Sequence, residues 1–169
     1  NLNNLKKSDI YWRYNIKAKQ AFITKENINS LVMSSNFTKL GYLHIDLDGN
    51  DYWILEELDL SVSKPDLLIL EYNAIYGNKE AISIPYEEKF NRMKVHYSGK
   101  YYGASLQALS YLADKKGYYF IGCNSAGNNA YFIDKNYETV IPKTNIKLGF
   151  QAPSFRESRN IKGELNYYD

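Results

Sequence analysis

Four oxygen-bearing side chains, Asp46, Asp48, Asn50 and Asp51, fall within six positions of the string GYLHIDLDGNDYWILEE (residues 41–57), between two apolar runs. Carboxylates at that density can ligate a hard divalent cation, attack phosphorus as nucleophiles, or take a proton from a hydroxyl about to react. The next apolar run, in DLLILEYNA (66–74), ends on two more polar groups, Glu71 and Asn73. Which chemistry applies depends on the elements that present these groups.

KAKQAFIT (17–24) ends in an apolar run and predicts a strand. TKENINSLVMSS (24–35) predicts a helix, with Thr24 as cap, Glu26 in the first turn and Ile28, Leu31 and Val32 on one face. YLHIDL (42–47) reads as a strand that runs into a helix, DYWILEELDL (51–60), whose Trp53, Ile54 and Leu58 point at a core. DLLILEYNA opens with a continuous apolar run, as expected of a strand buried on both faces. Residues 75–104 are polar and aromatic and too long for a simple connection, which suggests a flap or binding loop. SLQALSYLADKKG (105–117) is the clearest helix, with Leu106, Leu109, Leu112 and Ala113 on one face and Gly117 as its stop. YYFIGCN (118–124) and AYFIDK (130–135) read as two strands joined through the turn SAGNN.

Strands alternating with helices predict an α/β fold, here a mostly parallel sheet closed by a C-terminal antiparallel hairpin. Residues 1–15 read as an irregular segment, 16–150 as one α/β domain and 151–169 as a surface tail. In open α/β sheets, ligands sit outside the carboxyl ends of the strands. If the strands ending at Asp46 and Glu71 are neighbours, their polar groups converge on one crevice.

Composition narrows the function classes. The 169 residues carry a net charge of +2 with no run of five basic residues, so no nucleic-acid footprint is indicated. No apolar stretch approaches a membrane span, and the single cysteine, Cys123, fits a reducing compartment; a cytoplasmic location is the expectation. Cys123 lacks an evident catalytic partner and reads as a packing residue. The 17 tyrosines suit a carbohydrate-facing surface or reflect genome composition alone.

As a calcium loop starting at Asp46, the string has suitable groups at Asp48, Asn50 and Glu57, but Asp51 stands where the sharp turn needs glycine. IDLDGN also resembles the opening motif of haloacid-dehalogenase phosphatases, with Asp46 as nucleophile and Asp48 as acid/base. The next strand then lacks the Ser/Thr that chemistry requires, and no Asp-Asp pair occurs in the chain.

A third resemblance covers more of the chain. LHIDLDGNDYWILEEL, LILEYNA, YYGASLQALSYLADKKGYYFIGCNSAGNNAYFIDK and FRESR, in that order, resemble a bacterial, surface-glycan-associated branch of the FkbM-like SAM-dependent methyltransferases, from about residue 16 to the C-terminus. The resemblance implies the C-terminal part of a Rossmann-like methyltransferase sheet of seven strands. KAKQAFIT then matches the third strand, YLHIDL the fourth, DLLILEY the fifth, and the last two strands the closing hairpin. The first strands and their glycine-rich SAM loop have no counterpart, since no G-x-G-x-x-G occurs in the sequence. That departure implies a fragment of a longer chain, a missing N-terminal half supplied by a second polypeptide or a homo-oligomer, or a remnant that no longer binds SAM.

On this reading the activity is transfer of a methyl group from S-adenosylmethionine to a hydroxyl of a glycan or nucleotide-sugar acceptor. Asp46, Asp48 and Glu71 become the catalytic candidates, with Asp46 and Thr24 toward the cofactor and Asp48 and Glu71 toward the acceptor or a Mg²⁺ ion. Asn50, Asn73, Tyr86, His96, Tyr102 and Ser105 become acceptor-binding candidates. Several have a plainer reading, and Asp46 and Asp48 also suit a simple turn before the helix. Asn50 and Asp51 suit a helix N-cap, Ser105 another, His96 suits a solvated loop, and His44 a structural position inside its strand. A non-catalytic α/β binding module is the alternative from a different class.

Overall fold

The computed structural model describes residues 2–61, 63–154 and 158–165. Two short helices, α1 (Leu2–Lys6) and α2 (Asp9–Arg13), open the chain where an irregular segment is expected, and neither buries a residue. Helix α3 (Ile28–Met33) follows, then strand β1 (Tyr42–Ile45), α4 (Asp51–Glu57) and β2 (Leu67–Glu71). The segment 75–104 holds a single 3-10 turn at Ala74–Tyr76 and a one-turn helix, α5 (Arg92–Val95). The chain then runs through α6 (Leu106–Lys115), β3 (Tyr118–Cys123), β4 (Asn129–Asp134) and α7 (Ile146–Gly149).

The four strands form one open mixed sheet in the order β1-β2-β4-β3. β1 and β2 are parallel, with Ile45 opposite Leu70, and β4 runs antiparallel to both β2 and β3. Among the described residues one of these three pairings is therefore parallel, where a mostly parallel sheet is expected. The closing strand inserts between β2 and β3, so the hairpin sets the character of half the sheet.

The expected strand at 17–24 is not formed. A strand exists only as part of a ladder, and β1 has a partner on one side alone; residues 17–24 run past without pairing, leaving Phe22 exposed. The helix expected from Thr24 starts instead at Ile28, because Asn27 turns back and its Oδ1 accepts from the Thr24 N–H at 2.9 Å. The string FRESR, matched to the family above, falls largely outside the described residues, which resume at Ser158.

The core lies on one side of the sheet. Leu68, Leu70, Ala130 and Phe132 are fully buried beneath Ile54 and Leu55 of α4, Leu58 just after it, and Leu106, Leu109, Leu112 and Ala113 of α6. Burying each such Leu or Ile side chain contributes roughly 1.5–3 kcal/mol. The alternate face, through His44, Ile69 and Tyr131, is partly exposed, so β2 is not covered equally on both sides. Helix α6 is closed as its sequence predicts: the Ser105 Oγ accepts from the Ala108 N–H at 3.2 Å, and Gly117 takes φ +87° after the last turn.

Candidate active site

Parallel pairing of β1 with β2 brings their carboxyl ends level, so Asp46 follows Ile45 beside Glu71, which follows Leu70. Between Asp46 and α4 the chain makes a tight loop. Its fold is set by Asp51, which opens α4 but faces backward. Asp51 Oδ1 accepts from the Leu47 N–H at 2.8 Å and Oδ2 from the Gly49 N–H at 3.0 Å. The loop carries Asp48 through the left-handed region at φ +54°, a costly conformation for a residue with a Cβ. Gly49 follows because a Cβ there meets the Phe90 ring, which packs directly on the loop.

The segment 75–104 is tied over this end of the sheet. Asn50 Nδ2 donates to the Glu87 carbonyl at 2.8 Å, and Trp53 Nε1 to the Ile84 carbonyl at 2.7 Å. Asn73 Nδ2 donates to the carbonyls of Lys100 and Tyr102 at 2.9 and 3.0 Å, while its Oδ1 accepts from the Ile75 N–H. Ser105, fully buried, donates from Oγ to the Glu80 carbonyl and accepts from the Ile82 N–H. Helix α5, capped by Asn91, presents Arg92, whose Nη1 lies 3.1 Å from Asp48 Oδ1 and whose guanidinium stacks on Tyr102 at 4.8 Å.

Opposite stands the hairpin turn. Asn124 Oδ1 accepts from the N–H groups of Gly127, Asn128 and Asn129, and the Asn128 carbonyl accepts from the Tyr72 N–H. Gly127 has φ +74° and approaches the Ala152 carbonyl so closely that no side chain fits.

These walls enclose a hollow of about 280 Å³ lined by Glu71, Asn73, Arg92, Tyr102 and Asn128, among others. Glu71 is 8% exposed, and its Oε2 is buried with no hydrogen-bond partner. Burial pushes the Glu71 carboxyl up to about 8, with added repulsion from Asp51, Asp46 and Asp48 and partial relief from Arg92. Burial likewise raises Asp51 to about 6, against the lowering effect of its backbone donors. Tyr102 is raised to about 12, first by burial and then by the Glu71 charge.

The structure thus gathers Glu71, Asn73 and Tyr102 around one hollow, with Asp48 at its rim through Arg92. The other candidates lie elsewhere. Asn50 and Ser105 hold the covering segment and do not line the hollow. Tyr86 accepts from the Lys25 N–H beside α3. His96 is exposed, bonded to Ser98 at 2.7 Å and stacked against Tyr97. Thr24 is buried in the turn before α3. His44, read as structural, faces the partly open side of the sheet, 3.3 Å from Asn129 Oδ1 and 4.0 Å from Asp46.

Sequence reasoning missed two groups. Asp51 reads as a helix cap, yet its oxygens serve the loop upstream. Arg92 is the one arginine in segment 75–104, a signal visible in the sequence but without a partner until the fold supplies Asp48.

Neither implied cofactor is fully accommodated by these residues. Among the described residues no three Asp, Glu, His or Cys groups stand together as a metal site, and the carboxylate of Asp48 already faces a guanidinium. A second hollow, about 320 Å³, runs along the outer edge of β1 between Ile23, Ile28, Val32, Leu43 and Asp46. Its walls are apolar apart from His44 and Asp46, and the sequence has no G-x-G-x-x-G turn for the charged methionine end of SAM. No family model, curated protein or solved structure matches the chain.

Proposed function

We propose that the chain is the acceptor-side part of a SAM-dependent methyltransferase-like protein that methylates a hydroxyl of a saccharide or nucleotide-sugar. The observation that carries this reading is the unpartnered, buried carboxyl of Glu71 in a polar hollow at the carboxyl ends of two adjoining parallel strands. Strand arrangement supports it: the elements matched to the fourth and fifth family strands are parallel neighbours, and the last two form a hairpin folded back on the fifth.

SAM, when bound, supplies an electrophilic methyl group; holding its methionine end requires a glycine-rich turn from outside these residues, on the same or another polypeptide. The acceptor side follows from the chain itself. A sugar hydroxyl is a poor nucleophile at neutral pH and needs a base within hydrogen-bond reach. Glu71 fills that role when ionised, and its raised pKa makes it a stronger base than an ordinary carboxylate. Arg92, held by Asp48 and Tyr102, positions a neighbouring acceptor oxygen. Asp51 acts through the loop it folds and is a positioning residue.

Calorimetric titration of SAM into the longest natural polypeptide carrying this chain, followed by methyl transfer to saccharides, tests the reading. SAM binds, and Glu71→Gln leaves that binding intact while lowering transfer by about 10²-fold or more. A folded polypeptide that does not bind SAM removes the reading. The non-catalytic module then stands, favoured by the internal hydrogen bonds that already engage Asn50, Asn73 and Ser105.

A further inference from the structure

The hollow has a charge balance that goes beyond the presence of a base. Four carboxyl groups reach it or act on it from three directions: Asp46 and Asp48 from the loop after β1, Asp51 from α4, and Glu71 from β2. Arg92 is the one cation among the principal charges acting on Glu71, and Asp48 faces it at 3.1 Å. Lys100 lies in the wall, where its carbonyl serves Asn73, but it is not among those charges. The unpartnered Glu71 is more than nine-tenths buried; burial and the neighbouring aspartates hold its proton at neutral pH, and an entering cation displaces that proton to solvent. A phosphate or carboxylate placed beside Glu71 meets the three aspartates that already act on Glu71, with Arg92 as the counter-charge. Its volume, about 280 Å³, lies at the small end for ligand pockets and suits one ring rather than a sugar joined to a nucleotide.

We infer that the hollow selects a single amino-bearing sugar ring, its ammonium donating to Glu71 and its neighbouring hydroxyl oxygen accepting from Arg92, and excludes phosphorylated sugars. As a statement about the methyl acceptor this rests on the function proposed above; as a statement about binding it rests on the hollow alone. The phosphates of a nucleotide-sugar therefore stay outside the cavity.

The test is a binding titration of the full chain without cofactor, followed by amide NMR with glucosamine, glucose and glucose 6-phosphate as probes at pH 7. Glucosamine binds about tenfold more tightly than glucose and releases the Glu71 proton to solvent as it binds, because the bond that results joins charged groups. Glucose 6-phosphate binds weakest, and the shifted amides include Glu71, Asn73, Gly99 and Asn128. Glu71→Gln abolishes the preference for glucosamine over glucose, and Arg92→Gln weakens both sugars without reversing their order. Equal binding of the three probes, tighter binding of the phosphate, an unchanged preference in Glu71→Gln, or no binding to folded protein overturns the inference. Because no methyl transfer is read, a chain that methylates neutral sugars yet shows no amine preference defeats this inference and leaves the proposed function standing. A chain with the amine preference that never binds SAM does the reverse.

Discussion

Glu71 and Asp51 are carboxyl groups whose burial favours the protonated form, and this fixes the sign of a pH effect. In the unfolded chain they ionise near their ordinary values, 4.5 and 3.8, and in the folded chain near 8 and 6. Between those limits the unfolded state has released protons that the folded state retains, so stability falls as pH rises. We expect urea-unfolding free energy to be highest near pH 4 and to decline up to about pH 8 by a few kcal/mol, since each pKa unit is worth about 1.4 kcal/mol. In Glu71→Gln the decline stops near pH 7, where Asp51 has finished titrating, and the variant exceeds the parent in stability at pH 8.5. A parent whose stability rises from pH 5 to 8 contradicts this. At Gly49, replacement by alanine drives a methyl into the Phe90 ring, and a loss of about 1–3 kcal/mol is expected by the same unfolding measurement.

At the scale of elements, single side chains hold the hollow's two walls. Asn124 satisfies three consecutive backbone donors in the hairpin turn. Asn124→Ala leaves the N–H groups of Asn128 and Asn129 without that acceptor, while Gly127 keeps the Asn124 carbonyl, so a loss of roughly 1–3 kcal/mol and faster amide exchange at Asn128 and Asn129 are expected. Ser105→Ala removes an N-cap and two bonds to the covering segment at once; thermal unfolding then shows a loss of about 2 kcal/mol or more. The elements readable in the sequence are those that local chemistry defines. Helix α6 has its periodicity, its cap and its terminal glycine, and the hairpin has its turn residues. The segment 17–24 misleads because an apolar run specifies a strand only where a neighbouring strand offers hydrogen bonds. The site was readable as the carboxyl ends of two strands. It was not readable as a hollow, because Arg92 and Asn128 reach it from segments distant in sequence. The binding candidates Asn50 and Ser105 show the converse: residue types suited to a ligand are equally suited to tying down a loop.

For the whole molecule, the one-sided core divides the chain into a firm part and a loosely attached one. Helices α1 and α2 bury nothing, and Ile10, Trp12, Tyr14 and Phe22 are all exposed. Limited proteolysis is expected to cut within residues 1–22 well before the sheet, and removal of residues 1–15 to change stability by less than about 1 kcal/mol. First cuts within α6 or β4 contradict that division. The same one-sidedness leaves β1 as an edge strand beside an apolar hollow. The account depends on one arrangement, in which carboxyl groups from adjoining strands crowd a buried, unpartnered Glu71. Carbon-detected NMR titration of the Glu71 carboxyl in the full chain measures it directly. A midpoint near 8 that drops when Asp51 is replaced by Asn is the predicted result; a midpoint near 4.5, unmoved by that replacement, contradicts it.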